Sequence, residues 1–234
     1  MSIEVSVVIA TRNRAHIIGM CLERLLDQTI PRDAYEVIVI DDASTDNTGE
    51  AVARFVGPNV IYLRQEQHKA LSAARNRGIA IARGSLIVIM DDDALVRPDF
   101  LEQHQAAHRE HPNAIVAGPM IDCVEPPTER SPPVGKRLGW HTNPFVGCNS
   151  SVGRQNLLDA GGYDEEFNMY GWEDLDAYRR LKMLGLSNYY AWKAPVWHYK
   201  PHAVKQDFFG RLRLEEMRGA MGALYYAKHR DFNV

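Results

Sequence analysis

Neither a GxGxxG nor a GxxxxGK[ST] pattern follows any apolar run in this chain. Both patterns cradle phosphates with glycine-freed backbone amides, so their absence disfavours Rossmann dinucleotide binding and P-loop chemistry. No apolar run approaches the ~20 residues that cross a bilayer. The opening MSIEVSVVIA has no basic leader and enters an apolar run at once, so the expected location is the cytoplasm. Cysteine is scarce: Cys21, Cys123 and Cys148 form no close motif. An odd, scattered set suggests free thiols in a reducing compartment. Excess positive charge is also lacking, since the formal net charge is -3. That argues against nucleic acid as a partner, which favours a basic face. The basic, aromatic C-terminal segment leaves peripheral membrane contact open.

What is present is ordinary globular composition, 45% hydrophobic and 24% charged over 234 residues. The length suits one large domain or two small ones. Leu86–Asp93 reads LIVIMDDD. An unbroken apolar run is the habit of a strand buried on both faces in a parallel sheet. Such a strand cannot hold charge inside, so Asp91, Asp92 and Asp93 must emerge at its end. Adjacent carboxylates repel unless a cation holds them, and Mg²⁺ or Mn²⁺ prefers oxygen ligands. A solvated acidic turn is the plain competing reading. Two further buried runs also end in polar clusters: Val5–Ala10 in Thr11-Arg12-Asn13-Arg14, and Glu36–Ile40 in Asp41-Asp42. Strand and helix alternate from residue 5 to 120, which specifies helices over a parallel sheet. The three polar ends then share one edge, where open α/β sheets bind ligands.

From Ile121 the alternation stops. Asp122–Pro144 holds five prolines and reads as a long loop, expected to be mobile. Glu173, Asp174 and Asp176 open a helix, where its dipole favours acids with or without function. Asp176 and Arg180 have i,i+4 spacing, so Asp176 is assigned to structure. Trp172 at the helix entrance suits stacking on a sugar face. Residues 203–229 read as a helix.

VSVVIATRNR, VIVIDDASTDNT, ARNRGIAIARG, IVIMDDDALVRPDFL, GGYDEEF and GWEDLDAYRRLKMLG together resemble family 2 glycosyltransferases of the GT-A fold, in order, over about residues 4–200. The resemblance implies an α/β fold of GT-A type, with a mostly parallel central sheet flanked by helices. It implies one domain, residues 1–234, with a nucleotide-sugar-binding half (about 1–120) and an acceptor-binding half (about 121–234) that carries the mobile loop 122–144. It implies sugar transfer from a nucleotide-sugar donor, a UDP-sugar by preference, with inversion and a divalent metal, Mn²⁺ or Mg²⁺. The acceptor would be a glycan, lipid-linked or small-molecule hydroxyl. Matched positions place Thr11 and Arg12 at the nucleotide and Asp42 on the base or ribose. Arg75 falls near the diphosphate. Asp91–Asp93 is the DXD motif, with Asp92 facing the ribose or sugar and Asp93 on the metal. Asp174 is the catalytic base and Glu173 holds a sugar. His198 fits a late metal ligand, with His202 as competitor. The QxxRW-type motif and membrane helices of processive synthases are missing, so a soluble, non-processive enzyme is expected.

Two rivals differ in class. A nucleotidyltransferase of the sugar-nucleotide pyrophosphorylase type would carry a glycine-rich basic loop after the first strand, where this chain has no glycine until Gly19. A non-catalytic nucleotide-sugar-binding module would not need DXD and ED together.

Overall fold

The computed structural model describes residues 3–128, 145–200 and 208–230. Its central sheet starts with three apolar runs: β1 (Val5–Thr11), β2 (Tyr35–Asp41) and β4 (Leu86–Met90). β3 (Val60–Arg64) forms the near edge. Beyond β4 come β8 (Ser150–Gly153), β6 (Ala114–Ala117) and β9 (Ser187–Tyr190), in the order β3-β2-β1-β4-β8-β6-β9. β8 alone runs antiparallel to its neighbours β4 and β6; the other pairs are parallel. The fold is therefore the expected α/β type with a mostly parallel central sheet flanked by helices. β8 and β9 come from beyond residue 120, so early and late chain share one sheet.

Period-two alternation sorts the sheet's side chains to two faces. Val5, Val7, Ile9, Val37, Val39 and Val88 pack with helix α1 (Ile18–Leu25) and helix α4 (Phe100–Glu110). Val8, Ile38, Ile40, Ile87 and Ile89 pack with α3 (Ala70–Ile81), α5 (Arg154–Asp159) and α6 (Glu173–Met183). The short α2 (Thr48–Ala53) covers the β3 edge. A third cluster, Phe167, Met221 and Tyr225, seats the long α7 (Phe208–His229) against Trp172 and Leu175. No helix among the described residues is long and apolar enough to cross a membrane.

A second sheet is where sequence and structure part. β5 (Ala94–Val96), β10 (Val196–Tyr199) and β7 (Met120–Cys123) form it in the order β5-β10-β7. The expected loop over 122–144 thus starts too early: Asp122 and Cys123 lie in β7, and Asp122 pairs across from His198. A four-residue strand is too short to show periodicity; its pairing partner makes it a strand. Gly118-Pro119 separates β6 from β7, since proline lacks the N–H that a ladder needs. Residues 129–144 and His202 lie outside the described residues.

Candidate active site

The parallel register sets Thr11 opposite Asp41, so β1 and β2 end level, with β4 alongside. The Thr11 hydroxyl donates to Asp92 Oδ2 at 2.6 Å, tying the first strand end to the DXD segment. Arg14, on the following turn, lies 3.4 Å from Asp92 and 3.5 Å from Asp93. Burial pushes the Asp92 carboxyl up to about 7, against the opposing pull of Arg14. Arg12 is exposed.

Asp41 and Asp42 divide their work. Asp41 accepts from the Ser44 backbone N–H at 2.7 Å and the Tyr62 hydroxyl at 2.6 Å, so it braces the turn. Asp42 accepts from the Gln65 amide and the Lys69 N–H and pairs with His68 Nδ1 at 2.6 Å. A carboxylate has about four lone-pair sites. Three partners on Asp42 leave one.

The centre of the site is Arg75, whose side chain is only 3% exposed. α3 carries it on its buried face. Its guanidinium reaches Asp174 at 2.9 Å, Glu173 at 3.5 Å and Asp91 at 3.4 Å. The Tyr163 ring lies beneath it at 5.0 Å. Burial alone would disfavour this charge; Asp174 foremost, with Asp91 and Glu173, outweighs burial and holds the guanidinium protonated. Gly147 makes room: a Cβ there would stand 1.7 Å from Arg75 Nη2.

The ED pair sits on the first turn of α6. Gly171 and Trp172 both adopt positive φ, +93° and +76°, to turn the chain into it. A bulky residue in this conformation is a genuine outlier, and such strain gathers at functional sites. Asp174 accepts from Arg75, from the Tyr163 hydroxyl at 3.3 Å and from the Gly147 N–H at 2.9 Å. Again one lone-pair site is left. Glu173 is more buried, and its Oε2 has no partner among the described residues. Burial first, and the neighbouring Asp174 second, push Glu173 up to about 7.

On the far side of the DXD segment, His198 Nε2 lies 2.9 Å from Asp93 Oδ1. This is an ion-pair contact when the ring is protonated, and Oδ1 is a buried acceptor that takes no hydrogen bond among the described residues. His198 Nδ1 lies 3.1 Å from Asp122. A metal-binding histidine commonly donates its other ring N–H to a carboxylate, which fixes the ring's tautomer and direction. The ligand atoms of Asp91, Cys148 and His198 also lie within 4.8 Å of one another. An orphaned carboxylate oxygen, an oriented imidazole and a second carboxylate suit a divalent cation. Burial, then Asp91 and Asp93, push the Cys148 thiol up.

Thr11, Arg75, Asp91–Asp93, Asp174, Glu173 and His198 thus converge, with Asp42 beside them at the end of β2. Trp172 is half-buried, with one side of its ring taken up by the protein. Its ring packs 5.2 Å from the Tyr225 ring and against Gly222 of α7. Asp176 is held by Arg180 at 2.6 Å, as its spacing suggests, and by His229 at 2.8 Å. Sequence reasoning missed Arg14, Tyr163, Gly147 and Cys148 as members of the site. The RNR run signalled two arginines; only the structure picks the second. Nothing in the sequence marks Gly147.

Residues 6–161 match the family model described as glycosyl transferase family 2. Residues 133–221 match a second, described as N-terminal domain of galactosyltransferase. Glycosyltransferase AglE of Haloferax volcanii is 35% identical over 157 residues, which cover 65% of this chain and 49% of that protein. This chain spans about half or less of such curated relatives. Among solved structures, the mannosyltransferase PcManGT of Pyrobaculum calidifontis, in complex with GDP-Man and Mn²⁺, gives a TM-score of 0.73 at 22% identity. The match covers all of this chain and 66% of that one. TarS 1–349 of S. aureus, in complex with UDP-GlcNAc, gives 0.67 at 20% identity over 86% of this chain and 60% of that one. These likenesses show the fold.

Proposed function

This chain belongs to glycosyl transferase family 2, and from that premise we propose that it moves a sugar from a nucleoside diphosphate donor, a UDP-sugar first, to an acceptor hydroxyl with inversion. The observation that carries this reading is the span of Arg75. One guanidinium joins Asp91 of the DXD segment to Asp174 of the ED pair, 83 residues apart in sequence. A binding module has no need of that second carboxylate group. The domain reads as one unit, with residues 1–120 taking the donor and 121–234 the acceptor.

The chain's own residues divide the work as follows. Thr11, Arg12 and Asp42 bind the nucleoside, Asp42 through its remaining lone-pair site. Asp91 and Asp92 face the donor, Asp92 held by Thr11. Asp93 and His198 would hold Mn²⁺ or Mg²⁺, with Asp122 orienting the imidazole. A divalent cation there supplies Lewis-acid stabilisation to a departing diphosphate. Arg14 lies beside the same carboxylates and adds positive charge. Asp174 accepts the proton of the acceptor hydroxyl as the new bond forms. Its side chain is 22% exposed against 10% for Glu173, so the acceptor can reach it. Arg75, Tyr163 and the Gly147 N–H fix its direction. Glu173 and Trp172 shape the sugar's surroundings.

A second reading of the proton's destination has one observation behind it. Glu173 has an oxygen with no hydrogen bond among the described residues and a pKa that burial, then Asp174, raise to about 7, which suits a general base. Its burial weighs against it.

A thermal-shift panel tests the class. UDP, GDP and their sugars, each with and without Mn²⁺, should stabilise the protein increasingly with concentration, as ligands of the native state do. The largest shift is expected for a UDP-sugar with Mn²⁺. No shift with any nucleotide would defeat the proposal, and GDP-sugar preference would correct the base. Pyrophosphate-dependent release of nucleoside triphosphate from the donor would instead favour the nucleotidyltransferase.

A further inference from the structure

We propose that the cation site of this chain contains a built-in sulfur donor, Cys148, which with Asp91 and His198 lets it take a thiophilic divalent ion such as Zn²⁺ or Co²⁺ in competition with Mn²⁺ or Mg²⁺. The inference rests on the reading of this region as a cation site and goes beyond it in assigning the sulfur.

Three donors of different softness come together here: a carboxylate oxygen, an imidazole nitrogen and a thiol sulfur, all within 4.8 Å of one another. Around one tetrahedral ion, with bonds of about 2.0–2.3 Å, such atoms sit about 3.3–3.8 Å apart. The set therefore needs to close by roughly 1 Å, within the reach of side-chain rotation. Cys148 is fixed from both sides. Its neighbour Gly147 donates its N–H to Asp174, and Asn149 donates to the carbonyls of Pro119 and Ala194 at 3.0 and 2.8 Å. The Asn149 carbonyl in turn meets His104 at 3.1 Å. The sulfur is thus held beside the DXD segment by the scaffold.

A second observation points to a ligand independently of the thiol. Asp93 is 5% exposed, and its Oδ1 faces His198 with no hydrogen-bond partner among the described residues. Burying an acceptor without a hydrogen bond is costly, and with the imidazole neutral a cation would meet it. Carboxylate oxygens alone suit Mn²⁺ and Mg²⁺; imidazole, and thiolate more strongly, shift preference toward Zn²⁺ and its like. On binding, the S–H bond breaks, a sulfur–metal bond forms and the proton passes to solvent.

The test is a Co²⁺ titration of the metal-free full chain, followed optically. Wild type should develop a near-ultraviolet thiolate-to-cobalt charge-transfer band. The band should vanish in Cys148→Ser, with Mn²⁺ binding kept, and persist in a Cys21→Ser/Cys123→Ser double variant, where Cys148 is the only thiol left. Zn²⁺ affinity should fall in Cys148→Ser by at least the roughly 10–100-fold that loss of a supporting group costs. Should Cys148→Ser fail to fold, the double variant still decides. Ligand-field bands without charge transfer in wild type, or a band that survives Cys148→Ser, overturn the sulfur assignment and leave the cation site standing. Absence of any Co²⁺ or Mn²⁺ binding overturns both.

Discussion

Replacing Gly147 by alanine tests the site through a single methyl group. The added Cβ would lie 1.7 Å from Arg75 Nη2 and 2.6 Å from its Cζ. The guanidinium must retreat by roughly 1.7 Å to regain ordinary contact at 3.4 Å. It is buried, and its retreat would break or stretch the 2.9 Å contact with Asp174 and leave Glu173 and Asp174 without their cation. Overpacking a core costs about 1–3 kcal/mol, and removing one partner of a buried ion pair about 3–5 kcal/mol. Arg75 is displaced rather than deleted, so the expected loss lies between, at about 2–4 kcal/mol. Urea unfolding reads it as a lower midpoint with an unchanged slope. Gly219 is the control: a Cβ there meets nothing within 4 Å in the middle of α7. Gly219→Ala should gain about 0.5–1 kcal/mol, the usual helix-interior difference. Wild-type stability in Gly147→Ala would refute the view that Arg75 is locked among these carboxylates.

Four further outcomes are expected, the last of them taken up below. Asp42→Ala should weaken nucleotide binding by about 1–3 kcal/mol, the cost of a lost polar partner; Asp41→Ala, which frees Ser44 and Tyr62, should cost stability instead, and the reverse pattern in calorimetry and unfolding would invert the assignment. Asp93→Ala should abolish Mn²⁺-dependent nucleotide binding with the fold intact; equal affinity with and without Mn²⁺ in wild type would contradict it. Burial holds His104 down to about 3 and His108 to about 4. In the unfolded chain both take up protons near pH 6.5, so their contribution is full above that pH and falls by up to about 1.4 kcal/mol per unit each as pH drops. Asp92 and Glu173, raised to about 7, work in the opposite sense over the same range. The effect is therefore read as a difference: His108→Gln should lose stability less steeply on acidification than wild type, and parallel slopes would sink the argument.

The strands that end in acid were legible because burial on both faces leaves carboxylates nowhere but the strand tips. The Asp176–Arg180 pair was legible from its i,i+4 spacing, whereas Asp42 was singled out from its neighbour Asp41 only through the family likeness. The small second sheet was not. β5 and β7 have three and four residues, and their partner β10 lies about a hundred residues from the first and about seventy-five from the second, so no local pattern announces them. That hid the Asp122–His198 contact and made Asp122 look like part of a loop. The packing of Trp172 was hidden for the same kind of reason: its partners, Gly222 and Tyr225, arrive from a helix fifty residues on. His104 and His108 did carry a signal, since i,i+4 spacing puts both on one face of α4 toward Ser151. Arg75 was named from family likeness, but its three carboxylate partners came only with the packing of α3 against α6.

The central claim is that Asp174 takes the acceptor's proton on a site assembled by Arg75. The most direct measurement is single-turnover sugar transfer alongside donor affinity for Asp174→Asn, Glu173→Gln and Asp176→Asn. Asn is nearly isosteric with Asp and cannot take the proton, so Asp174→Asn should bind donor as wild type does and lose ~10²–10⁴-fold in rate. Glu173→Gln should mainly weaken sugar binding, and Asp176→Asn should change rate far less, because its partners are Arg180 and His229. Near wild-type transfer by Asp174→Asn, with the large loss falling on Glu173→Gln, would contradict the account and move the base to the neighbouring residue.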